Sequence, residues 1–342
     1  MNLKNLNVKN KIPNSFKTKL LNRRLNNIFN RFENSFKPNS NFIVGVSGGA
    51  DSLALAFLSK LYAFKNNLKP KFYIVDHKLR NISTEEASKV KKILSSFNIH
   101  SKILTWRGKR PSTKIQSTAR KIRYDLLFSE CKKLKINNLV VGHHIDDLIE
   151  NFFIRMVRGS GLKGLVSLGV QTQIDSINLL RPLINIDKKD LLFISKFVFN
   201  FYVDDISNYN MKFNRIKIRK FIEQLRSIGL DKKKIQLTIE NLKRSDQTIR
   251  FYVEKNKKIN STICQKNTVL ILKKAFFDNS YEVVFRSLSD LIQFIGKRHN
   301  PVRGKKIDKI LNKIENKRLF KETLGGCVIK MVNETVILAK EF

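Results

Sequence analysis

Two hydrophobic periods alternate along the first two-thirds of the chain. Phe42, Ile43, Val44, Gly45 and Val46 form a short apolar run that stops at Ser47, Gly48, Gly49, Ala50, Asp51 and Ser52. Beyond the stop, Leu53, Leu55, Ala56, Leu58 and Leu61 recur at helical spacing. This pattern predicts a buried strand, a tight loop and a helix. It repeats as strand 71–77, helix 84–97, strand 101–106, a basic helix over 113–134, strand 138–142 and a helix from about 146. Apolar residues at 179–183 and a helix over 188–199 continue it. Alternating strands and helices predict an α/β fold with a doubly wound, mainly parallel sheet.

The character then changes. From 213 to 258 the chain reads as helical and very basic. The last stretch mixes strands at 268–272, 283–285, 327–331 and 336–338 with a helix near 305–314, which predicts a small α+β domain. At the other end, Leu20, Leu21, Leu25 and Ile28 suggest one apolar stripe on a basic helical arm. The expected organisation is a basic N-terminal arm (1–40), the α/β domain (41–215), a basic helical linker (216–260) and the α+β domain (261–342). The first 32 residues lack Asp and Glu and mimic an organellar transit peptide. They have no signal-peptide apolar core, and the arm is the preferred reading.

Ligands of doubly wound sheets bind at the carboxyl ends of the strands. The loop 47–52, the pair Asp76 and His77, and the pair His143 and His144 all fall at that edge. In the loop, Gly48 and Gly49 let successive N–H groups converge into an anion-binding nest at a helix N-terminus. Ser47 and Ser52 add hydroxyls. Asp51 is the odd member, because a carboxylate beside a phosphate needs a cation between them, and Mg²⁺ meets that need. The alternative is an ordinary capped turn. The Walker pattern is absent, since no lysine follows the glycines.

The second cluster is His143, His144, Asp146, Asp147 and Glu150. Asp146 and Asp147 open a helix, where negative charge is ordinarily favoured. Three carboxylates at a strand end in so basic a chain also suit Mg²⁺ or a cationic substrate. Gln116, Arg120, Arg123 and Tyr124 place two guanidinium groups one turn apart, which suits phosphate contact.

Composition sharpens this picture. The 342 residues carry 67 basic and 28 acidic side chains, a formal net charge of +39. That excess favours a polyanion partner, although low-GC coding drift accounts for part of it. No apolar run reaches membrane-span length, and nucleic acid is preferred as the partner, with a membrane surface a distant second. The three cysteines, Cys131, Cys264 and Cys327, are scattered, which excludes the common zinc and redox spacings and suits a reducing, cytoplasmic compartment.

The run from Ser47 to Ser52 is similar to the signature of the PP-loop (N-type) ATP pyrophosphatases, Rossmann-like enzymes that cleave ATP to AMP and pyrophosphate. Other segments resemble the tRNA(Ile)-lysidine synthetase branch of that superfamily. They are Asp76, His77, Leu79 and Arg80; the 116–124 helix; His144 through Asn151; Arg158, Gly159, Ser160, Gly161, Gly164 and Leu165; and 204–208 followed by Asn214, Arg215 and Arg219. The resemblance spans about 41–220. Longer members carry a further C-terminal domain that this chain is expected to lack.

The resemblance implies an ATP-dependent C–N ligase using ATP and Mg²⁺. Its partners would be free L-lysine and an isoleucine tRNA with a CAU anticodon, whose wobble cytidine becomes lysidine through an adenylated intermediate. It implies Asp51, Asp146 and Asp147 as catalytic residues, with Asp51 on the metal. It implies ATP contacts at Ser47, Gly48, Gly49, Ala50, Asp51, Ser52, His77 and Arg123. Lysine would be held by Asp147 and Glu150, and tRNA by Arg158, Arg215 and Arg219. Oligomeric state stays open, a homodimer included. The competing readings are a tRNA thiolase of the same superfamily, a glutamine-dependent amidating enzyme and an idle RNA-binding protein. The thiolase would need paired cysteines and the amidating enzyme an ammonia-producing domain.

Overall fold

The computed structural model describes residues 13–79, 82–108, 115–203, 214–264, 268–297, 302–316 and 321–341. The expected motifs at Arg80 and 204–208 lie outside them. The chain divides into two compact units, Met1–Ile239 and Glu240–Phe342.

The first unit opens with two helices, α1 (Asn14–Leu20) and α2 (Arg23–Ser35). Asn22 caps α2, its side chain accepting the Leu25 N–H at 3.1 Å. That cap splits the expected stripe. Leu20, Leu25 and Ile28 are buried, but Leu21 sits in the turn between the helices and is 67% exposed. Phe16 stacks on Phe57 at 5.1 Å and Phe36 meets Phe42 edge-on at 5.1 Å, so the described part of the segment joins the core of this unit.

There follow β1 (Phe42–Val46), α3 (Ala50–Lys65), β2 (Lys71–Asp76), α4 (Ser83–Ser96), β3 (Ser101–Thr105), α5 (Ile115–Leu134), β4 (Asn138–Val140), α6 (Ile145–Val157) and the short α7 (Leu162–Leu165). A hairpin of β5 (Gln171–Ile174) and β6 (Ile177–Leu180) comes next. Then come α8 (Lys188–Ile194), a π-helical turn at Ser195–Phe199, α9 (Asn214–Ser227) and α10 (Lys232–Asn260). The sheet order is β3-β2-β1-β4-β6-β5. All neighbours are parallel except the edge strand β5. β1 and β2 are nearly all buried, as strands covered on both faces must be.

The order places the switch point. From β1 the chain moves outward through β2 to β3, then returns to lay β4 on the other side of β1. The crevice where the direction reverses therefore opens between the ends of β1 and β4.

α9 and the start of α10 close this unit. Ile222, Ile235 and Ile239 pack with Ile145, Leu148, Ile149 and Phe153 of α6 in a separate apolar cluster. Glu150 pairs with Arg219 and Asp146 with Arg226, so α6 and α9 run antiparallel.

The second unit takes the rest of α10, then β7 (Ser261–Cys264), β8 (Val269–Leu272), α11 (Tyr281–Ile295), α12 (Gly304–Glu315), β9 (Lys321–Leu324), β10 (Cys327–Val332) and β11 (Thr335–Lys340). Its antiparallel sheet has the order β7-β8-β11-β10-β9. The strand expected at 283–285 is instead the first turn of α11. Val283 and Val284 begin a helical series with Leu288, Leu291, Ile292 and Ile295, all buried. The local β-branched pair suggested a strand, and the longer period decides.

Candidate active site

The loop after β1 is built to leave its N–H groups open. Gly49 caps α3, its carbonyl accepting from the N–H groups of Ser52 and Leu53 at 3.0 and 3.1 Å. Ser52 Oγ accepts the Ser47 N–H at 3.1 Å and donates to Gly49 O at 2.9 Å. Its hydroxyl therefore locks the loop. The N–H groups of Gly48, Gly49, Ala50 and Asp51 have no acceptor among the described residues. They point from the start of a helix of 16 residues, where a phosphate group is favoured by both hydrogen bonding and the dipole.

Remote parts of the chain hold this shape. Gly48 has φ +87°, and a Cβ there would come within 2.6 Å of Val90 Cγ2. The Val203 N–H donates to Gly48 O at 3.0 Å, and Ser195 Oγ donates to Ala50 O at 2.6 Å. Gly142, after β4, lets that strand end approach α3, since a Cβ would lie 3.4 Å from the Asp51 backbone.

α6 starts from β4 at the same edge. His144 is its N-cap: Nδ1 accepts the Asp146 N–H at 3.2 Å, while Asp147 Oδ2 accepts the His144 N–H at 3.1 Å. The imidazole Nε2 therefore carries the hydrogen. It faces Asp51 Oδ2 and Asp147 Oδ2, each at 3.6 Å. Burial works against protonating His144, but the hydrogen bond to Asp51 and the charges of Asp147, Asp51 and Asp146 outweigh it and raise the imidazole above its ordinary range. Burial likewise works to lift Asp147, yet His144, His143, the His144 N–H and Arg215 hold its carboxyl low. Glu150, 4% exposed, shows the opposite balance. Burial lifts its carboxyl despite Arg219, whose Nε lies 2.5 Å from Oε1.

Guanidinium groups line the β4 and β6 side. Arg181 is 4% exposed and donates to His143 Nδ1 at 3.2 Å, Gly169 O at 3.0 Å and Thr172 Oγ1 at 2.8 Å. Arg120 approaches His143 Nε2 at 3.4 Å and lies over the Tyr124 ring, 5.1 Å from its centroid. Burial, with Arg120, Arg181 and Arg215, pushes His143 down to about 3 against the pull of Asp147. That imidazole is neutral at physiological pH.

The structure thus gathers Ser47 through Ser52, Asp147, Glu150, Arg215 and Arg219 around the crevice. Arg219, expected on tRNA, is committed to Glu150. Asp146, expected in catalysis, is held at its Oδ1 by Lys232 at 2.6 Å and Arg226 at 3.2 Å. Arg158 caps the far end of α6, about 18 Å from Asp146 by helical rise. Arg123 is half-buried on α5, and His77 is half-buried after β2. Asp76 is used internally. It is 1% exposed and accepts from Ser83 Oγ at 2.8 Å, Thr84 Oγ1 at 2.7 Å and the Lys78 N–H at 3.0 Å. It fastens the β2–α4 turn.

Sequence reasoning missed His144 as the link between Asp51 and Asp147, and Arg181 as a buried cation. The His-His pair gave a signal for the first. Only the Arg-Pro step after β6 hinted at the second.

The PP-loop domain model matches residues 17–225. A tRNA(Ile)-lysidine synthase from Orientia tsutsugamushi is 33% identical over 320 residues, covering 90% of this chain and 71% of that protein. The chain belongs to the tRNA(Ile)-lysidine synthase family. Other similar members are the tRNA(Ile)-lysidine synthases of Rickettsia felis, 31% identical over 89% of this chain and 70% of that one, and of Rhodopseudomonas palustris, 28% identical over 86% and 89%. A solved U34-tRNA thiolase from Methanococcus maripaludis shares the fold, with TM-score 0.56 and 17% identity over 65% of this chain and 78% of that chain. Membership of the lysidine synthase family makes the chain an ATP-dependent ligase of the PP-loop superfamily. Among the described residues, no helix is long and apolar enough to cross a membrane.

Proposed function

We propose that the chain joins the ε-amine of free L-lysine to C2 of the wobble cytidine in a CAU-anticodon isoleucine tRNA. The observation that supports this reading is the row of N–H groups at 48–51, without acceptors among the described residues, on one wall of a crevice whose other wall carries Asp147, joined to Asp51 through His144. One wall suits an anion and the other a cation. The cytosine C2 oxygen attacks the α-phosphorus of ATP, the bond to pyrophosphate breaks, and AMP is left on the base. The lysine amine then attacks C2, and AMP departs with that oxygen. The N–H groups of 48–51 would take up charge on the departing pyrophosphate. Asp147, held ionised, would grip the lysine ammonium. Glu150, lifted by burial, is the better proton acceptor when the amine must become neutral.

Asp51 fits a divalent cation, because its Oδ1 is buried with no hydrogen-bond partner among the described residues. Mg²⁺ bound there would neutralise phosphate oxygens. Arg215, exposed at the start of α9, and Arg158 are proposed as tRNA phosphate contacts.

The thiolase reading is weaker. Cys131 and Cys327 are buried, and burial pushes each thiol up to about 11, far from the reactive thiolate range. The test is to incubate the full chain with ATP, lysine and total tRNA, digest the RNA and weigh the nucleosides. Lysine-dependent appearance of lysidine is expected. Pyrophosphate release with no lysine adduct would favour another nucleophile, and no release at all would favour a binding protein. Affinity for tRNA should fall steeply with salt.

A further inference from the structure

In the second unit, α10 turns an unusual face to solvent. Over 240–260, Asp246, Val253 and Asn256 form its inward line. Asp246 pairs with Arg286 at 2.5 Å, and Asn256 Nδ2 donates to Phe276 O at 3.1 Å. Val253 is 2% exposed. At about 100° per residue, the opposite line runs through Arg244, Phe251, Lys255 and Lys258. Phe251 is 65% exposed and its neighbour Tyr252 50%. Their rings meet edge to face, 5.4 Å apart.

Charge on this helix is sorted by face. Arg250 is paired with Asp246 at 2.7 Å and Lys257 with Glu254 at 2.6 Å. Arg244, Lys255 and Lys258 are exposed and have no carboxylate partner among the described residues. The outer line therefore presents a flat apolar ring with unpaired cations one to two turns away on both sides.

We propose that this face binds an unpaired nucleotide of the RNA substrate, its base stacked on Phe251 with Tyr252 at the edge and its flanking phosphates on Lys255, Lys258 and Arg244. This rests on the RNA-modifying reading above. A base has an apolar face and a phosphate on either side, which is the complement of this surface. Duplex RNA hides its base faces and has no use for the phenyl ring. A second copy of the chain, with its net charge of +39, is repelled from the cations.

The test uses the full chain, an isoleucine tRNA transcript, a short single-stranded oligonucleotide and a duplex RNA of equal length. Phe251→Ala should weaken tRNA and oligonucleotide binding about 5- to 100-fold while leaving the duplex unaffected. Because Phe251 is mostly exposed, the melting temperature should not change. Phe251→Trp should restore affinity, and its added emission should be quenched by the oligonucleotide. Lys255→Gln with Lys258→Gln should lower the salt slope by about two units.

Affinity within twofold of the parent in Phe251→Ala overturns the proposal. So does a change of oligomeric state with RNA affinity intact, which would make the face an interface between copies. A parent that forms lysidine while Phe251→Ala binds RNA normally sinks only this inference. A parent that forms none, yet binds the oligonucleotide through Phe251, sinks only the functional reading.

Discussion

Helices α3 and α6 begin at the same sheet edge, after the adjacent strands β1 and β4, and they treat their N-termini in opposite ways. α3 has a glycine cap with no side-chain oxygen, and four N–H groups have no acceptor among the described residues. α6 closes itself, His144 Nδ1 accepting the Asp146 N–H and Asp147 accepting the His144 N–H, and then adds the carboxylates of Asp146 and Glu150. One start offers unpaired donors, which suits negative charge. The other spends its own polarity internally and projects carboxylates. Acidic residues in a first helical turn are ordinary capping, and for Asp147 that is half of its role. The remaining half follows from what it faces: Asp51 across an imidazole 3.6 Å from each carboxylate.

The sharpest way to break this comparison is Asp51→Ala. Lysidine formation should fall by more than about a thousandfold, because phosphate charge goes uncompensated where it develops. Tight tRNA binding should persist in a filter assay. Loss of tRNA binding would remove the loop from the nucleotide site.

Gly48→Ala comes next. The added carbon meets Val90 Cγ2 at 2.6 Å in a backbone region closed to alanine. ATP affinity should fall at least tenfold and stability by about 1–3 kcal/mol. Adding Val90→Ala should recover part of the stability and little of the affinity, since the φ strain remains.

Arg219→Met probes the acidic start. It leaves Glu150 buried without its cation, at a cost of about 1–3 kcal/mol, toward the low end because Arg219 itself reaches solvent. The sign with pH is diagnostic. Glu150 has a folded pKa raised above its unfolded value, so its burial is least costly when protonated. The variant should gain stability relative to the parent as pH falls from 7 toward 5. A flat difference between the two melting curves would show that Glu150 is not the group involved.

The smallest effect is expected at Thr84→Ala, about 1 kcal/mol, because Asp76 keeps Ser83 and the Lys78 N–H. Burial works to raise the Asp76 carboxyl, but Thr84, Ser83 and Lys78 hold it low. Its contribution is present above the unfolded pKa and is lost as pH falls through the folded one. Acid unfolding of the variant should therefore begin at a higher pH than in the parent.

Most of the parallel sheet was legible in sequence because each strand is a short apolar run bounded by glycine or polar residues. The tight turn at 47–52 before α3 was legible because glycine spacing is a local property. The hairpin β5–β6 was not, since Gln171, Thr172 and Gln173 carry no strand pattern and pair only because β6 lies beside them. The strand expected at 283–285 failed because Val283 and Val284 lie on a helix whose apolar series is seen only over four turns. The pairing of Arg219 with Glu150 joins residues 69 apart, and no local spacing announces it.

By itself, the amino-acid order settled the local facts: where strands stop, which turn must be glycine, and which helix begins with carboxylates. Backbone conformation at such points depends on a few neighbouring residues. Only the tertiary structure decided which of those carboxylates are available. Asp76 goes to Ser83 and Thr84, Asp146 to Lys232 and Arg226, while Asp51 keeps a buried oxygen with no hydrogen-bond partner among the described residues. A carboxylate's chemistry is set by burial and by the charges that arrive from elsewhere in the chain, and the crossover from β3 back to β4 is what brings them together.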